Sequence, residues 1–317
     1  MKKKELIDRW ETDSEWINKR IGIQREIIDK SIKKDYVKID LRGIKFAKTD
    51  RHVPWIEEKA FYEIDFSYAD LSRCTFVKCK FIKCTFYYCN FSNITEKQCE
   101  FLDCIFSKGR MSGGIGRSES HYRNVIFKQI NLGGLQVDYP DFENCIFDNC
   151  NLKRVDFNGA LINDVKFIGE VSDVWFRGKS GTLDLVIPED LDKERAYKQN
   201  PMIADFSQAF ISYTLFTDGC DLTRAVLPKD GNHFLIEDIC KVKEFVERFC
   251  SSLEENEKSY FNIIKKIFLI QRKDEKVKIL NIVDWRNSMT KEEALQEKAK
   301  IIFDRFMREI KVTGYIS

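Results

Sequence analysis

The sequence predicts a mainly β fold, a solenoid built of short strands, with helical segments at both ends. Large apolar residues recur at every fifth position over more than half of the chain, a period that fits neither a helix nor a flat strand. Near both termini the apolar residues recur at helical spacing instead. The 317 residues, 43% hydrophobic and 13% aromatic, are enough to bury a substantial core.

The N-terminal segment, residues 1–38, is expected to form a helical cap. Thr12-Asp13-Ser14-Glu15 matches a capping box, and isoleucines follow at roughly helical spacing. The first residues are charged and lead into no apolar run, and no long uncharged apolar stretch occurs elsewhere. We therefore expect a protein that is neither secreted nor membrane-spanning and that resides in the cytoplasm.

The repeat runs in steps of five from Leu41 to Phe106, and its large positions are apolar except at Arg51 and Glu96. The residue two places earlier is mostly small or medium, and the remaining positions are mostly polar. A second run, from 127 to 167, is displaced by one residue, and a shorter third one covers 206–216. To return the same position inward, each unit must turn a corner, so the chain winds as a solenoid around a narrow, close-packed interior.

Units such as Ala69-Asp70-Leu71-Ser72-Arg73 and Cys89-Asn90-Phe91-Ser92-Asn93 have a small residue, a polar one, then Leu or Phe. This pattern resembles the pentapeptide repeat family. The resemblance covers residues 39–228 and implies a right-handed quadrilateral β-helix with four units in each coil. Residues twenty apart then lie on the same face, so Phe66, Phe86 and Phe106 are expected to form one ladder.

Most of the cysteines occupy the small inward position of the repeat, where sulfur acts as a small hydrophobe. Consecutive units approach the axis from different walls and lack the short Cys-x-x-Cys knuckle of zinc sites. We therefore expect free, buried thiols, with no metal and no cofactor. The nine residues concerned are Cys74, Cys79, Cys84, Cys89, Cys99, Cys104, Cys145, Cys150 and Cys220.

The repeat is interrupted at about 107–124 and 168–203, which we interpret as loop insertions. The first is rich in glycine but lacks a phosphate-binding loop, because Met111 stands where that motif needs its first glycine and Arg117 replaces its lysine. Loops on a rigid scaffold often carry binding function. The candidate partner-binding residues are therefore Arg110, Arg117, Arg123, Trp175 and Arg177.

Residues 229–317 are expected to form an all-α domain, because apolar residues recur there at helical spacing. Three roles are open for the tail: it caps the rod, it dimerises with a second copy of the chain, or it binds another protein. Family members that act on topoisomerases are dimers joined through their C-terminal ends. The resemblance therefore implies a homodimer formed through this region. The candidate interface residues in this tail are Leu295, Ile302, Phe306 and Ile310.

The formal charge of +2 lacks the basic excess of a dedicated nucleic-acid binder, so no direct nucleic-acid binding is expected. Acidic residues outnumber basic ones between 127 and 230. If they share one wall they could mimic the phosphates of a duplex, and if they are spread over several walls they only solvate the rod. The candidate acidic face comprises Asp138, Asp141, Glu143, Asp148, Asp156 and Asp164.

Three scattered histidines and a ladder of buried cysteines offer no catalytic constellation, so neither an enzyme nor catalytic residues are expected. The sequence favours a non-enzymatic protein-interaction scaffold that uses its rod, its loops and its helical tail. A bacterial stress or antiviral defence assembly is one candidate setting. The alternative comes from a distant resemblance to the gyrase-protecting quinolone-resistance pentapeptide proteins, which implies a DNA-mimicking modulator of DNA gyrase or topoisomerase IV.

Overall fold

The computed structural model describes residues 2–28, 34–47, 53–178, 201–236, 238–269, 278–281 and 293–316. It contains a parallel-strand β-solenoid of about six turns, with helices before it and a helical region after it, which confirms the mainly β class. The chain bends at turn residues in the left-handed region, such as Asn93 at φ 59° and Asn144 at φ 51°. Each turn of the solenoid consequently has four flat faces.

The strands of the rod form two parallel sheets. The eight-stranded sheet contains β2 (Trp55–Glu57), β4 (Thr75–Val77), β7 (Asn90–Lys97), β10 (Arg110–Arg117), β13 (Gln136–Asp138), β16 (Asp156–Asn158), β18 (Trp175–Arg177) and β20 (Leu215–Thr217). The twelve-stranded sheet contains β1 (Lys34–Val37), β3 (Lys59–Tyr62), β5 (Lys80–Ile82), β6 (Thr85–Tyr87), β8 (Glu100–Leu102), β9 (Ile105–Ser107), β11 (His121–Arg123), β12 (Ile126–Lys128), β14 (Asp141–Glu143), β15 (Ile146–Asp148), β17 (Leu161–Ser172) and β19 (Ile203–Ser212).

We name the four faces A to D. Face A holds β3, β5, β8, β11 and β14, and face B holds β6, β9, β12 and β15. The long strand β17 joins these two faces around one corner. Face C is a column of paired residues, Asp70, Asn90, Arg110, Asn131 and Asn151, joined by single bridges except where Asn90 pairs with Arg110 at the start of β7 and β10. Face D is formed by the rest of the eight-stranded sheet. Neighbours across each face are about one coil apart in sequence, so the register places equivalent repeat positions side by side.

The interior is a stack of aromatic rings flanked by small side chains. The predicted ladder of Phe66, Phe86 and Phe106 is confirmed, with ring centroids 5.1 and 4.5 Å apart and nearly parallel planes. The nine cysteines at inward positions are buried and free, as predicted. Each buried phenylalanine contributes roughly 1.5–3 kcal/mol of hydrophobic stabilisation, so the stack is the main source of stability of the rod.

Two helices, α1 (Lys3–Thr12) and α2 (Ser14–Ile28), cover the N-terminal end of the rod. Asp13 begins α2, since its Oδ1 accepts from the N–H groups of Glu15 at 2.9 Å and of Trp16 at 3.4 Å. From α1, the Arg9 guanidinium donates to both carboxylate oxygens of Asp40 at 2.9 Å. Within the predicted N-terminal cap, two helices thus dock on the first coil, whereas residues 34–37 form strand β1 of the rod.

Residues 107–124 do not leave the rod, so the prediction of a loop there is wrong. Strand β10 pairs with β7, with Met111 opposite Phe91. Strand β11 pairs with β8, with Tyr122 opposite Phe101. Twenty residues separate the first pair and twenty-one the second, so this stretch accommodates the one-residue change of phase between the two runs of the repeat.

Strand β10 contains two irregularities that cancel in register, one residue fewer than β7 between Met111 and Gly113 and one more in a bulge at Gly116. The extra residue of this coil enters at the next corner, where the three residues 118–120 lie opposite Gln98 and Cys99. Gly114 lies opposite Thr95 and Arg117 lies opposite Lys97, so β10 contains one more residue than β7 between these two pairs. Gly116 adopts φ +83°, a conformation that glycine reaches without steric cost. The glycine-rich sequence therefore allows an irregular backbone conformation within the sheet.

A buried carboxyl group organises this bulge. Glu96 is fully buried at an inward repeat position, where its Oε2 accepts from the Gly116 N–H at 2.6 Å and the Tyr122 hydroxyl at 3.0 Å. Its Oε1 accepts from the Cys99 N–H at 3.2 Å, and the Ser120 hydroxyl also hydrogen-bonds to it. Burial raises the pKa of Glu96 above its usual value, against these hydrogen bonds. We call these five residues the Glu96 joint.

The second predicted interruption, 168–203, is shorter than expected. Residues 168–172 continue β17 and residues 175–177 form β18, so the chain stays within the rod up to residue 178. Strand β19 returns to β17 in parallel register. The residues between 179 and 200, where a surface excursion is predicted, lie outside the described part of the chain.

The tail contains α3 (Ile239–Ser252), α4 (Glu255–Leu269) and α5 (Glu293–Val312). None of the described helices has the length and apolar character that a membrane crossing requires. Ile302, Phe306 and Ile310 are buried in the tail's own core against α3 and α4, so their prediction as a partner interface is wrong. Their apolar stripe is already satisfied within one chain. Leu295 belongs to α5, but its side chain lies outside the described residues.

An antiparallel strand pair joins the tail to the rod: β21 (His233–Ile236) and β22 (Lys278–Asn281). Alternate residues of β21 point to opposite sides, with Leu235 against the rod core and Phe234 in the helical core. The buried His233 imidazole contacts the Ile211 backbone of the rod at 3.0–3.1 Å through Nε2. The strand pair thus separates the two cores and fastens one to the other.

Candidate interaction surface

The acidic residues predicted as one face are distributed around the rod. Asp138 and Asp156 lie on face D, Asp141 and Glu143 on face A, and Asp148 on face B. Asp164 is an exposed turn residue of β17 at φ 56°. Of the two alternatives that the sequence leaves open, the structure therefore favours acidic residues spread over several walls, because neighbouring repeat units face different directions around the coil.

Four of these six carboxylates are ion-paired with a basic side chain in an adjacent coil, and Asp141 lies beside the His121 imidazole, a contact that is ionic only when that ring is protonated. Three of the bases are residues predicted to contact a partner. The pairs and their N–O distances are Arg117 with Asp138 (3.8 Å), Arg123 with Glu143 (2.7 Å), Arg177 with Asp156 (2.9 Å), Lys128 with Asp148 (3.2 Å) and His121 with Asp141 (3.0 Å). The parallel register places these positions next to each other, so the two predicted patches neutralise one another.

The other two predicted contact residues are placed differently. Trp175 is half-buried in the wall of face D, between Asp156 and Leu215, and does not stand on a loop. Arg110 is exposed at the start of β10 and forms no ion pair with another described residue. Arg110 is therefore the one predicted arginine whose charge is available on the described surface.

Beside Arg110, three tyrosines gather at the corner between faces B and C. Tyr68 and Tyr88 stack with centroids 5.7 Å apart and planes 8° apart. Tyr87 lies edge-on to both, at 5.8 Å from Tyr68 and 4.6 Å from Tyr88. Tyr88 is 45% exposed, so this corner presents aromatic side chains to solvent. We call Tyr68, Tyr87 and Tyr88 the tyrosine corner.

Two lysines flank the tyrosine corner. The Lys3 ammonium lies 5.9 Å from the ring centroid of Tyr68, and the Lys108 ammonium lies 5.7 Å from that of Tyr87. Arg110 bridges to Asn90, which follows Tyr88 by two residues, so its side chain belongs to the same neighbourhood. Neither lysine is ion-paired to a described residue. The corner thus combines exposed aromatic surface with three unpaired cations.

The backbone makes tyrosine an unexpected choice at two of these positions. Tyr68 and Tyr88 adopt φ 64° and 55°, in the left-handed region where a bulky side chain costs more than glycine or asparagine. The sequence contained the signal for their juxtaposition, because Tyr68 and Tyr88 are one twenty-residue coil apart. It was missed because the outward positions of the repeat were regarded only as polar.

The described residues offer little reactive chemistry. They contain no group of three or more His, Cys, Asp or Glu side chains placed to hold a metal ion. Burial raises the pKa of Cys150 and of Cys220 to about 12, so both remain neutral thiols near pH 7 and are poor nucleophiles. What the rod presents is a patterned surface.

These features define a class of protein, a four-sided parallel β-solenoid closed by helices at its N-terminal end. A family model described as pentapeptide repeats matches eight copies within residues 61–95 and 141–169. Together with the four-sided coils, this match shows that the rod contains pentapeptide repeats.

Solved structures of similar proteins include QnrB1, a plasmid-mediated fluoroquinolone resistance protein. It shares 14% identity over 58% of this chain and 93% of its own, with a TM-score of 0.24. HetL, involved in heterocyst differentiation regulation in the cyanobacterium Nostoc sp., shares 9% identity over 68% of this chain and 93% of its own, with a TM-score of 0.30. No curated protein matches this chain.

Proposed function

We propose that this chain is a non-enzymatic protein-interaction scaffold, and that the tyrosine corner with Arg110 is part of its binding surface. The observation that carries the proposal is the coincidence of the exposed Tyr88, its two half-buried tyrosine neighbours and cations that form no ion pair with another described residue. Tyrosine and arginine are enriched among the residues that dominate binding energy at protein interfaces. A close-packed scaffold holds them in place before binding, which lowers the entropy cost of association.

Two partner classes follow from the sequence and the family: a type II topoisomerase such as DNA gyrase, and a component of a bacterial stress or antiviral assembly. The family resemblance makes gyrase the better defined of the two. A DNA-mimicking form of that role needs an array of unpaired carboxylates on one wall. The spread and pairing of the acidic side chains argue against that form, so we propose protein binding without DNA mimicry.

The test is affinity capture of the tagged full chain from its native cell at low salt, followed by identification of stoichiometric partners. One variant carries Tyr88→Ala and Arg110→Ala, and a matched control carries Arg123→Ala and Glu143→Ala on face A. We expect a partner that the corner variant loses and the control retains. Capture of no stoichiometric protein by the wild-type chain would contradict a scaffold role.

A further inference from the structure

We infer that the tyrosine corner binds an acidic, extended polypeptide segment of its partner. This inference rests on the proposed scaffold function and specifies the chemistry that the surface recognises. It is carried by three properties of the corner: the sign of its charge, the parts of the tyrosine rings that stay accessible, and the spacing of its cations along the rod.

The end of the tyrosine corner next to Lys108 and Arg110 is positively charged. The positions one coil further on are Lys128, Gln129 and Asn131, none of them acidic. At the other end, Asp65 accepts from Ser67, and Asp70 accepts from Ser72 and Asn90, which orients these carboxylates without neutralising them. The positive charge of this surface is therefore concentrated at Lys108 and Arg110, and these two residues are the ones that favour an acidic segment.

The ring geometry favours a polypeptide over a single-stranded nucleic acid. Bases bind to tyrosine by stacking on an open ring face. Here Tyr68 and Tyr88 stack on each other, and Lys108 lies over the ring of Tyr87. These contacts leave fewer open ring faces for a base, while the ring edges and hydroxyl groups stay accessible. The three hydroxyls form no hydrogen bond with another described residue and are not buried, so they are available to carboxylate or carbonyl oxygens.

The spacing of the cations also suits an extended chain. Tyr68, beside Lys3, is two coils away from Lys108 along the same corner, which corresponds to roughly 10 Å at about 4.8 Å per coil. Residues three apart in an extended segment are separated by roughly the same 10 Å. A segment that runs along the corner can therefore place one carboxylate near Lys3 and another near Lys108, with the tyrosines between them.

The test measures fluorescence anisotropy of a labelled Glu-Leu-Glu repeat peptide with the full-length protein. A Lys-Leu-Lys peptide and a labelled oligo(dT) are the comparison probes. The binding variant carries Lys108→Glu and Arg110→Glu, and the matched control carries Lys78→Glu, an exposed lysine at the corner between faces D and A that forms no ion pair with another described residue. A second variant, Tyr88→Phe, removes one hydroxyl and keeps the ring. All substituted side chains are exposed, so unchanged urea unfolding curves are expected and verify that the variants fold.

We expect the acidic peptide to bind the wild-type chain and the control alike. The charge-reversal variant should lose at least roughly tenfold in affinity and Tyr88→Phe a smaller factor, and added salt should weaken binding. The inference is overturned if the wild-type chain does not bind the acidic peptide, if charge reversal leaves its binding unchanged, or if oligo(dT) binds more tightly at the same residues. A captured partner that the corner variants retain would refute this surface while leaving the scaffold function intact.

Discussion

The rod has two parts, on either side of the Glu96 joint, that share one interior and differ in their exteriors. Phe86 and Phe106 stack at 4.5 Å before the joint, and Phe127 and Phe147 stack at 4.7 Å after it. Across the joint, Phe106 and Phe127 stack at 5.1 Å, so the ladder continues through the change of phase. The interior is packed in the same way, as stacked phenylalanine rings, on both sides of the joint.

The exteriors of the two parts differ. After the joint, charged side chains form ion pairs between coils, as Arg123 does with Glu143. Before it, face A has one such pair, Lys80 with Glu100 at 2.8 Å, beside an outward column of Tyr62, Ile82 and Leu102, and the tyrosine corner lies on the opposite edge of face B. Because folding constrains only the inward positions, the outward positions are free to vary between the parts. The location of a binding surface must therefore be sought in the outward columns.

The largest expected effect tests whether the two interiors are equivalent. Phe86→Asp and Phe147→Asp each bury a charge among stacked rings, where the native side chains are 1% and 3% exposed. We expect each to destabilise the protein by more than about 4 kcal/mol and to abolish cooperative urea unfolding monitored by circular dichroism. Tyr88→Asp, two residues from Phe86 but exposed, is the control and should change stability by less than about 1 kcal/mol. A cooperative transition in only one interior variant would show that the two parts are packed differently.

The next prediction concerns the bulge at Gly116, within the Glu96 joint. A Cβ at Gly116 would lie 2.7 Å from Pro140 Cδ, in addition to the cost of φ +83°. We expect Gly116→Ala to cost about 3 kcal/mol in the free energy of unfolding. Gly134→Ala is the matched control, since its φ is +75° but no atom lies within 4 Å of the added Cβ. It should cost about 1 kcal/mol, and equal losses would mean that Pro140 is not a steric limit.

The interior could be predicted from the sequence because a five-residue period requires the chain to turn a corner in every unit. Only then does every fifth side chain point inward. The ladder through Phe66, Phe86 and Phe106 follows from that rule and is confirmed. The distribution of the acidic residues could not be predicted in the same way. It depends on the phase of the coil, and the phase changes within residues 107–124, where the repeat is unreadable.

The Glu96 joint illustrates a second limit of sequence reasoning. Glu96 was visible as a charged exception in the apolar run, but its partners Gly116 and Tyr122 are twenty or more residues away. Only the register between coils reveals that they surround one carboxyl group. The apolar stripe of Ile302, Phe306 and Ile310 presents the same difficulty, because periodicity identifies a buried face without identifying what covers it.

The ionisation of Glu96 provides a smaller, pH-dependent effect at the joint. Because burial raises its pKa above the usual 4.5, the stability it contributes is complete below about pH 4.5 and is lost as the pH rises through the folded-state pKa. Glu96→Gln does not titrate. Relative to that variant, the wild-type free energy of unfolding should fall with rising pH. The fall should be about 1.4 kcal/mol for each pKa unit by which folding raises the pKa of Glu96. Urea titrations of both proteins between about pH 4 and pH 8 measure this difference. A difference that stays constant over that range would show that the pKa of Glu96 is not raised in the folded state.

The smallest effects distinguish ion pairs within the second part of the rod. Arg123 and Glu143 are 62% and 49% exposed, so solvent screens them and Arg123→Ala should cost less than about 0.5 kcal/mol. Arg177 and Asp156 are 24% and 27% exposed, and burial already raises the pKa of Asp156 despite its arginine partner. Arg177→Ala leaves that carboxylate poorly solvated and without its nearest cation, so we expect a loss of about 1–3 kcal/mol. Urea unfolding at low and high salt measures both losses, and salt should reduce the first more than the second. If Arg123→Ala costs as much as Arg177→Ala, the ion pairs stabilise the rod independently of their burial. The outward residues of this part would then contribute more to folding than the outward residues that hold the tyrosine corner.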